Sequence, residues 1–277
     1  MSVFALLKQV TRWCVVLGTA ASIVLSGSMI RAQSVPPATS QEQVPELNKQ
    51  STQAVFVPPP LPPEHGMPSG RRVGGASRGC RGYELITALV PDLDGHVWGR
   101  SASARPSFWF YIPDVGNTGL PLEFVLQDEA DRYIFRTEFT LKPGPADVLG
   151  VTVPEVALPL EPDRLYRWTL SISVQCAPKE EPNILFARGS VWHVAATPDL
   201  RARLKSASPL ERASIYAGSG YWYDALTELG QLRHSDPNNF VYADSWERLL
   251  RQADIMYPEA DRIAPRWAFI PSSSPTN

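Results

Sequence analysis

The segment that decides the fold class is Tyr166-Arg167-Trp168-Thr169-Leu170-Ser171-Ile172-Ser173-Val174-Gln175-Cys176. Apolar residues stand at every second position, and polar residues fill the positions between them. Because successive side chains of a strand point to opposite faces of a sheet, this alternation predicts a long strand with one buried and one solvent-exposed face. The buried face is predicted to hold Tyr166, Trp168, Leu170, Ile172, Val174 and Cys176.

The residues just before this strand form a recognisable corner. Leu160-Glu161-Pro162-Asp163-Arg164-Leu165-Tyr166 resembles the corner by which fibronectin type III-like domains enter their penultimate strand. In such a corner the Tyr hydroxyl bonds to backbone a few residues upstream. We therefore expect Tyr166 to fix the start of the strand.

Further strand patterns surround this one between Tyr83 and Val194. Ser107 to Ile112 is apolar on both faces, which predicts a strand that is covered on two sides. The remaining predicted strands are 83–90, a hairpin of 122–127 with 133–141 through the acidic turn 128–131, and 184–194. About seven short strands favour an immunoglobulin/fibronectin type III-like β-sandwich over residues 71–197.

After Thr197 the apolar period becomes helical. Ser208-Pro209-Leu210-Glu211 is a capping box that predicts a helix to about Ala217. A second helix is predicted over 222–234 and a third over 244–255, so that residues 205–257 form a helical hairpin plus one further helix. The spacing of the hairpin matches the second part of a tetratricopeptide repeat. A single unit buries too little surface to stand alone, so we expect it to dock on the sandwich rather than form a groove of its own.

The N-terminal residues predict export. Lys8 and Arg12 precede an apolar run that ends at the small-residue site near Ala32, the order of a secretory signal peptide over residues 1–32. Polar and small residues interrupt the run, which disfavours a retained transmembrane helix. The mature protein is expected in the periplasm or outside the cell, with residues 258–277 as a tail.

The charge balance excludes some partners. The chain has 26 basic and 28 acidic residues, and loss of Lys8, Arg12 and Arg31 leaves 23 against 28, a formal net charge of −5. A general positive field is therefore absent, which argues against binding to nucleic acid or anionic membranes.

Residues 33–70 are rich in Pro, Gln, Ser and Thr and culminate in Pro58-Pro59-Pro60-Leu61-Pro62-Pro63. No apolar periodicity runs through them, so burial cannot offset the entropy of ordering. They are interpreted as a disordered, semi-extended tether. The alternative is a Pro-rich ligand for the aromatic groove of a partner.

Two cysteines remain after cleavage, Cys80 and Cys176, and an even pair in an exported protein predicts a disulfide. Closing a loop of this length stabilises by roughly 4 to 5 kcal/mol in the chain-entropy model. The alternative is two separate buried thiols.

Two sets of residues are candidates for binding. The first is the Gly-rich basic stretch with Arg71, Arg72, Arg78 and Arg81, whose guanidinium groups suit a carboxylate or phosphate, although a pinned linker into the first strand is the simpler interpretation. The second is Tyr221-Trp222-Tyr223, which opens a helix. Three consecutive helical positions cannot all face inward, so one or two should be exposed or lie at the interface between sandwich and helices.

No residue set predicts catalysis, a metal or a cofactor. His65, His96, His193 and His234 are isolated from other ligands. Glu123 with Asp128 and Glu129 is a candidate glycosidase pair, but carboxylates near a hairpin turn are usually solvated. Ser77 lies in a formal G-x-S-x-G match that lacks the preceding strand and following helix of a nucleophile elbow.

Several motifs recur together in one known family. They are Gly70-Arg71-Arg72-Val73-Gly74-Gly75, Arg78-Gly79-Cys80, Leu85-Ile86-Thr87-Ala88-Leu89-Val90-Pro91, Pro106-Ser107-Phe108-Trp109-Phe110-Tyr111-Ile112-Pro113, Glu123-Phe124-Val125-Leu126-Gln127-Asp128-Glu129, Tyr166-Arg167-Trp168, Cys176, Ile215-Tyr216-Ala217 and Trp222-Tyr223-Asp224-Ala225-Leu226. From about Gly70 to Asp254 the chain resembles the cyanobacterial domain-of-unknown-function family numbered nine-two-eight. The resemblance implies an exported cyanobacterial protein and carries no assigned activity.

The sequence as a whole predicts a non-enzymatic interaction module without cofactors, in the periplasm or at the cell surface, that binds a protein or a cell-envelope glycan. Two alternatives stay open: carbohydrate or peptidoglycan binding through exposed aromatic residues, and an enzyme of unrecognised type. The sequence names neither the partner nor the oligomeric state.

Overall fold

The computed structural model describes residues 54–62, 70–74, 86–114, 119–142, 144–174, 182–257 and 263–267. Several predicted features lie outside these residues, and they stay predictions: the signal peptide, the pair Cys80 and Cys176, Ser77, and the arginines Arg78 and Arg81.

Ten strands and four helices make up the described part of the chain. The strands are β1 (Thr87–Ala88), β2 (Asp92–Leu93), β3 (His96–Ser101), β4 (Ser107–Ile112), β5 (Leu120–Gln127), β6 (Tyr133–Leu141), β7 (Asp147–Thr152), β8 (Arg164–Val174), β9 (Asn183–His193) and β10 (Arg266–Trp267). The helices are α1 (Pro198–Ser206), α2 (Pro209–Gly218), α3 (Trp222–Ser235) and α4 (Phe240–Gln252).

The strand that decided the fold class is the centre of a six-stranded sheet of order β2-β3-β9-β8-β5-β6. β8 pairs antiparallel with β9 and with β5, and β5 forms the predicted hairpin with β6. The described residues of its predicted buried face are buried, from Tyr166 to Val174. The Tyr166 hydroxyl accepts a hydrogen bond from the Glu161 backbone N–H at 2.9 Å, which confirms the tyrosine corner.

The second sheet has four strands in the order β1-β4-β7-β10 and packs face to face on the first. Phe108 of β4 contacts Phe124 of β5 with ring centroids 5.0 Å apart, and Phe110 contacts Trp168 of β8 at 5.5 Å. The fold is therefore mostly β, with two packed sheets followed by helices. Both sheets are mixed, since β3 pairs parallel with β9 and β7 pairs parallel with β10.

Helices α3 and α4 cover the outer face of the four-stranded sheet. Trp109 of β4 points outward and contacts Trp246 at 5.8 Å and Trp267 at 4.5 Å between ring centroids. Its indole Nε1 donates to Thr227 Oγ1 at 3.3 Å. Because both faces are covered, every residue of β4 is buried, as its apolar sequence predicted.

The helix starts follow local sequence. The Ser208 hydroxyl and the Glu211 carboxylate form the predicted capping box of α2. The chain also forms α1, a helix that the sequence interpretation did not separate, and α4 begins at Phe240, earlier than predicted, with Asn239 as its cap.

None of the described helices combines the length and apolar character needed to cross a membrane.

Two segments differ from their predicted states. Residues 54–62 fall in the predicted disordered tether, but Ala54 and Phe56 are buried against the helices. Residues 266–267 fall in the predicted tail, but they form β10, and Arg266 pairs with Asp147 of β7. In both cases a few apolar or charged residues find partners that are distant in sequence.

We expect Gly230→Ala to destabilise the protein by about 1 to 3 kcal/mol. A Cβ at Gly230 lies 2.6 Å from the Trp109 ring, closer than side chains tolerate. An unhindered Gly-to-Ala exchange inside a helix instead stabilises by up to about 1 kcal/mol. The control is Gly218→Ala, where the nearest atom is 3.9 Å away, and it should cost nothing. Urea denaturation gives both values, and equal effects of the two exchanges contradict the tight packing of Trp109.

Candidate functional site

On the outer face of the six-stranded sheet, the outward side chains of β6, β8 and part of β9 are exposed or half-buried. Along β9 the alternate residues Leu185, Ala187 and Val191 are buried in the core. The intervening side chains therefore point away from the core. These outward residues are Ile184, Phe186, Arg188, Ser190 and Trp192.

Arginines stack on aromatic rings across this surface. The Arg71 guanidinium carbon lies 5.5 Å from the Phe186 ring centroid, and that of Arg188 lies 5.9 Å from the same ring. Four of the five arginine–aromatic contacts among the described residues lie here. We call the surface the arginine–aromatic face, and it comprises Arg71, Arg100, Arg136, Arg188, Tyr133, Phe186 and Trp192.

The two ends of the face differ in charge compensation. At the β5–β6 end Arg136 forms ion pairs with Glu123 at 2.5 Å and Glu138 at 3.3 Å. At the β3–β9 end no carboxylate of the described residues lies within ion-pair distance of Arg71, Arg100 or Arg188. Among the residues that the structure describes, the arginines of the β3–β9 end therefore lack a carboxylate partner.

Arg100 is the most constrained of these arginines. Its guanidinium carbon lies 4.6 Å from the Trp192 ring centroid. Burial lowers the pKa of Arg100 from its ordinary value, although the nearby Tyr221 works against this. Its Nε is buried and has no hydrogen-bond acceptor among the described residues, as is also true of Trp98 Nε1.

The structure separates the two described arginines of the predicted basic stretch. Arg71 joins the face because residue 71 pairs with Arg188 at the edge of β9. Arg72 points elsewhere and donates to the carbonyls of Ala253 at 3.0 Å and Asp254 at 3.1 Å. Arg72 thus has a structural role, since its donors fasten the start of the sandwich to the residues that follow α4, and a binding role for it stays a prediction.

Tyr221, Trp222 and Tyr223 do not form an exposed binding site. All three are buried at the interface between sandwich and helices. The Trp222 Nε1 donates to the Leu89 carbonyl at 2.8 Å, and the Tyr223 hydroxyl donates to the Ser190 carbonyl at 3.0 Å. The first turn of α3 packs into the end of the sandwich, so the side chains of all three residues are covered. The predicted location at the interface between sandwich and helices is correct, and the predicted exposure of one or two of them is wrong.

The candidate glycosidase carboxylates have separate structural partners. Asp128 accepts hydrogen bonds from the Ala130 and Arg132 backbone and pairs with the Arg132 side chain at 2.6 Å. Desolvation works against its ionisation, but these bonds from Arg132 and Ala130 prevail and lower the pKa of Asp128. Asp128 thus organises the hairpin turn, while Glu123 belongs to the ion pairs of Arg136.

Among the residues that the structure describes, no three His, Cys, Asp or Glu side chains lie close enough together to hold a metal ion.

The sequence interpretation missed a buried carboxylate, Asp224, in the first turn of α3. It accepts hydrogen bonds from the backbone N–H of Ala102 at 2.8 Å and of Ser103 at 3.2 Å, and from the Ser101 hydroxyl at 3.3 Å. Burial raises the pKa of Asp224 to about 7, although the hydrogen bonds from Ala102, Ser101 and Ser103 oppose this. The carboxylate therefore clamps the loop after β3 to α3.

Asp224 lies at a small cleft of about 200 Å³ that is also lined by Arg105, Tyr216 and Glu228. Burial raises the pKa of Tyr216 to about 12, so its hydroxyl stays protonated. Glu228 is paired with Arg212 at 2.8 Å. Ser101 has a carboxylate partner here, and His193 is its register neighbour on β9. The Ser101 hydroxyl bonds to Asp224 and Ser103, and His193 Nδ1 has no hydrogen-bond partner, so no nucleophile–base hydrogen bond joins the two among the described residues.

The chain matches one family model. The model of the family described as Domain of Unknown Function (DUF928) matches residues 73–260. The family resemblance that the motifs predicted is confirmed, and cyanobacterial origin stays a prediction. No curated protein matches the chain.

Two solved structures share a distant likeness with part of the chain. One is the CARDB domain of a Pyrococcus furiosus protein in complex with di-metal ions, which is 14% identical and has a TM-score of 0.24 over 40% of this chain and 90% of its own. The other is a glycosyl hydrolase family 2 member from Bacteroides cellulosilyticus, 14% identical with a TM-score of 0.19 over 41% of this chain and 19% of its own. At these scores neither informs the function.

Asp224 makes stability depend on pH in a predictable direction. Its folded pKa of about 7 lies above the ordinary value near 3.8, so the folded state binds this proton more tightly. The stabilisation is complete below about pH 4 and is lost as the pH rises through about 7, an effect of about 4 kcal/mol. We expect the unfolding free energy of the wild type minus that of Asp224→Asn to fall by this amount from about pH 4 to about pH 8.

Urea denaturation across this pH range measures the difference. Asp199→Asn, at an exposed position of α1, measures the effect of the same exchange away from the clamp. A wild-type-minus-variant difference that stays flat with pH contradicts the burial of an ionisable Asp224.

Proposed function

We propose a binding function for this chain, which belongs to the family described as Domain of Unknown Function (DUF928) and takes no activity from that membership. The chain is an exported, non-enzymatic interaction module that binds an acidic protein through its arginine–aromatic face. One observation carries this proposal: Arg71, Arg100 and Arg188 stack on aromatic rings without a described carboxylate in reach.

The local charge of the face contrasts with the rest of the chain. Acidic residues outnumber basic ones by 28 to 26 overall. An arginine patch without a carboxylate partner among the described residues attracts a negatively charged surface and orients it. Stacking also fixes each guanidinium plane, so less side-chain entropy is lost when a carboxylate binds its N–H edge.

The aromatic residues supply the apolar part of the contact. Tyr133 is 60% exposed and Ile184 is 65% exposed on the same sheet face. Tyrosine, tryptophan and arginine are enriched at the energetic centres of protein interfaces. A face that combines them with polar Ser171 and Ser173 of β8 suits a protein surface of mixed character.

Export and the finer fold type belong to the same proposal. The signal-peptide pattern supports placement of the module in the periplasm or outside the cell. The tyrosine corner at the start of β8 supports an immunoglobulin/fibronectin type III-like sandwich.

The test uses the mature chain as bait against a cell-envelope fraction. We expect an acidic protein to be retained at about 50 mM salt and released at about 500 mM salt, because exposed ion pairs are screened. The double exchange Arg71→Gln with Arg188→Gln should reduce its recovery about tenfold or more. The control is Arg248→Gln with Arg251→Gln on α4, which removes the same charge and should leave recovery unchanged.

Two outcomes contradict the proposal. The first is that the wild-type bait retains no stable protein partner. The second is that both double variants retain it equally. Binding of envelope glycans instead, with a shift of Trp emission that Trp192→Phe abolishes, supports the carbohydrate alternative.

A further inference from the structure

Residues 54–62, which we call the strap, lie in an extended conformation across the helical layer. The strap is distant in sequence from the helices it contacts: Phe56 and Gln252 are 196 positions apart. It lies on the helices, and the arginine–aromatic face lies on the six-stranded sheet. The contacts of the strap and the arginine–aromatic face are therefore separate surfaces.

A side-chain amide recognises the strap backbone. Gln252 Oε1 accepts a hydrogen bond from the Phe56 N–H at 2.8 Å, and Gln252 Nε2 donates to the Ala54 carbonyl at 2.9 Å. The two bonds reproduce the pattern that a neighbouring strand offers to an extended chain. Val57 adds a third, from its N–H to the Ala217 carbonyl at 3.1 Å, at the end of α2 where carbonyls lack helical partners.

One aromatic side chain anchors the strap. The Phe56 ring meets Trp222 edge to face, with centroids 4.9 Å apart at an interplanar angle of 75°. Phe56 is 7% exposed, whereas its neighbours Val55 and Val57 are 57% and 52% exposed. Recognition therefore depends on the backbone and on alternate side chains, which is how grooves commonly bind extended peptides.

A glycine keeps the groove open for the prolines that follow. Gly220 has a positive φ of 78°, and a Cβ there would lie 3.1 Å from the Val57 carbonyl and 3.3 Å from Pro59. Beside the strap a cavity of about 490 Å³ is lined by Val55, Arg203, Glu211, Ile215 and Gly218. The groove thus has room for residues that flank the docked segment.

We propose that the surface formed by Ala217, Gly220, Trp222 and Gln252 is a peptide-binding groove, and that the strap is its intramolecular ligand. Its ligand class is an extended peptide with a buried aromatic residue two positions before a proline pair, as in Phe56-Val57-Pro58-Pro59. Three backbone hydrogen bonds and one ring hold the strap, so an external peptide of the same chemistry competes once its concentration exceeds the effective concentration of the tethered one.

The test cuts the strap free without removing it. A protease recognition site replaces residues 64–67 of the full mature chain, which is then cleaved. We expect the N-terminal fragment to stay associated during size-exclusion chromatography at micromolar concentration. A fluorescent peptide of residues 52–62 should then replace it, with a rise in anisotropy.

Matched peptides and a chain variant identify the contacts. A peptide with Phe56→Ala should bind about tenfold more weakly or worse, because the buried ring is lost. The control peptide with Val57→Ala should bind as the wild type does, since that side chain is half exposed and its backbone bond is kept. Gln252→Ala in the cleaved chain should weaken the binding of every peptide, because both side-chain bonds to the strap backbone are lost.

Several results overturn the proposal. The first is that the cut fragment separates from a core that circular dichroism shows to be folded, and the second is that the core unfolds on cleavage. The third is that the labelled peptide fails to exchange within about a day. The fourth is that the Phe56→Ala and wild-type peptides bind equally well. Unfolding on cleavage makes the strap a part of the core rather than a ligand.

Discussion

The architecture depends on one buried hydrogen-bond chain, from Trp168 through Tyr223 to Ser190. The Tyr223 hydroxyl accepts from Trp168 Nε1 at 2.8 Å and donates to the Ser190 carbonyl at 3.0 Å. A phenol buried in a core costs several kcal/mol unless both its donor and its acceptor are satisfied, so this geometry fixes where α3 enters the sandwich. Burial raises the pKa of Tyr223, which keeps its proton available for Ser190.

The residues beside Tyr223 extend this constraint to the rest of the molecule. Trp222 bonds to the Leu89 carbonyl on the sandwich and also receives Phe56 of the strap. Asp224 holds the loop after β3, the strand that carries Arg100 to the arginine–aromatic face. The turn from residue 221 to residue 224 therefore joins the two sheets, the helices and both proposed binding surfaces. A change of packing at residues 221–224 therefore alters the positions of the sheets, the helices and both proposed surfaces.

The parts of the fold that could be predicted are those whose signal lies in neighbouring residues. The alternation of β8, the corner at Tyr166 and the capping box at Ser208 each need only a short window of sequence. β7 escaped prediction because its run from Val148 to Val151 is short and is interrupted by Gly150, so it shows neither a period of two nor the continuous bulky apolar run that marked β4. The docking of the strap escaped prediction because the alternation from Ala54 to Val57 is short and is followed directly by prolines. Its partner Gln252 is 196 positions from Phe56, so no short window of sequence contains both. The place of Arg71 on the arginine–aromatic face arises from register, since the pairing of residue 71 with Arg188 brings Arg71 to Phe186.

The distance in sequence between the strap and its groove also orders events in time. Phe56 is synthesised 196 residues before Gln252. At ordinary elongation rates this interval lasts roughly 10 to 40 s. During this interval Phe56 lacks the Gln252 side of its groove, and the last long strand, β9, is completed only at His193. The strap is therefore the first part of the described chain to be synthesised, but it can form all its contacts only after α4 has been made.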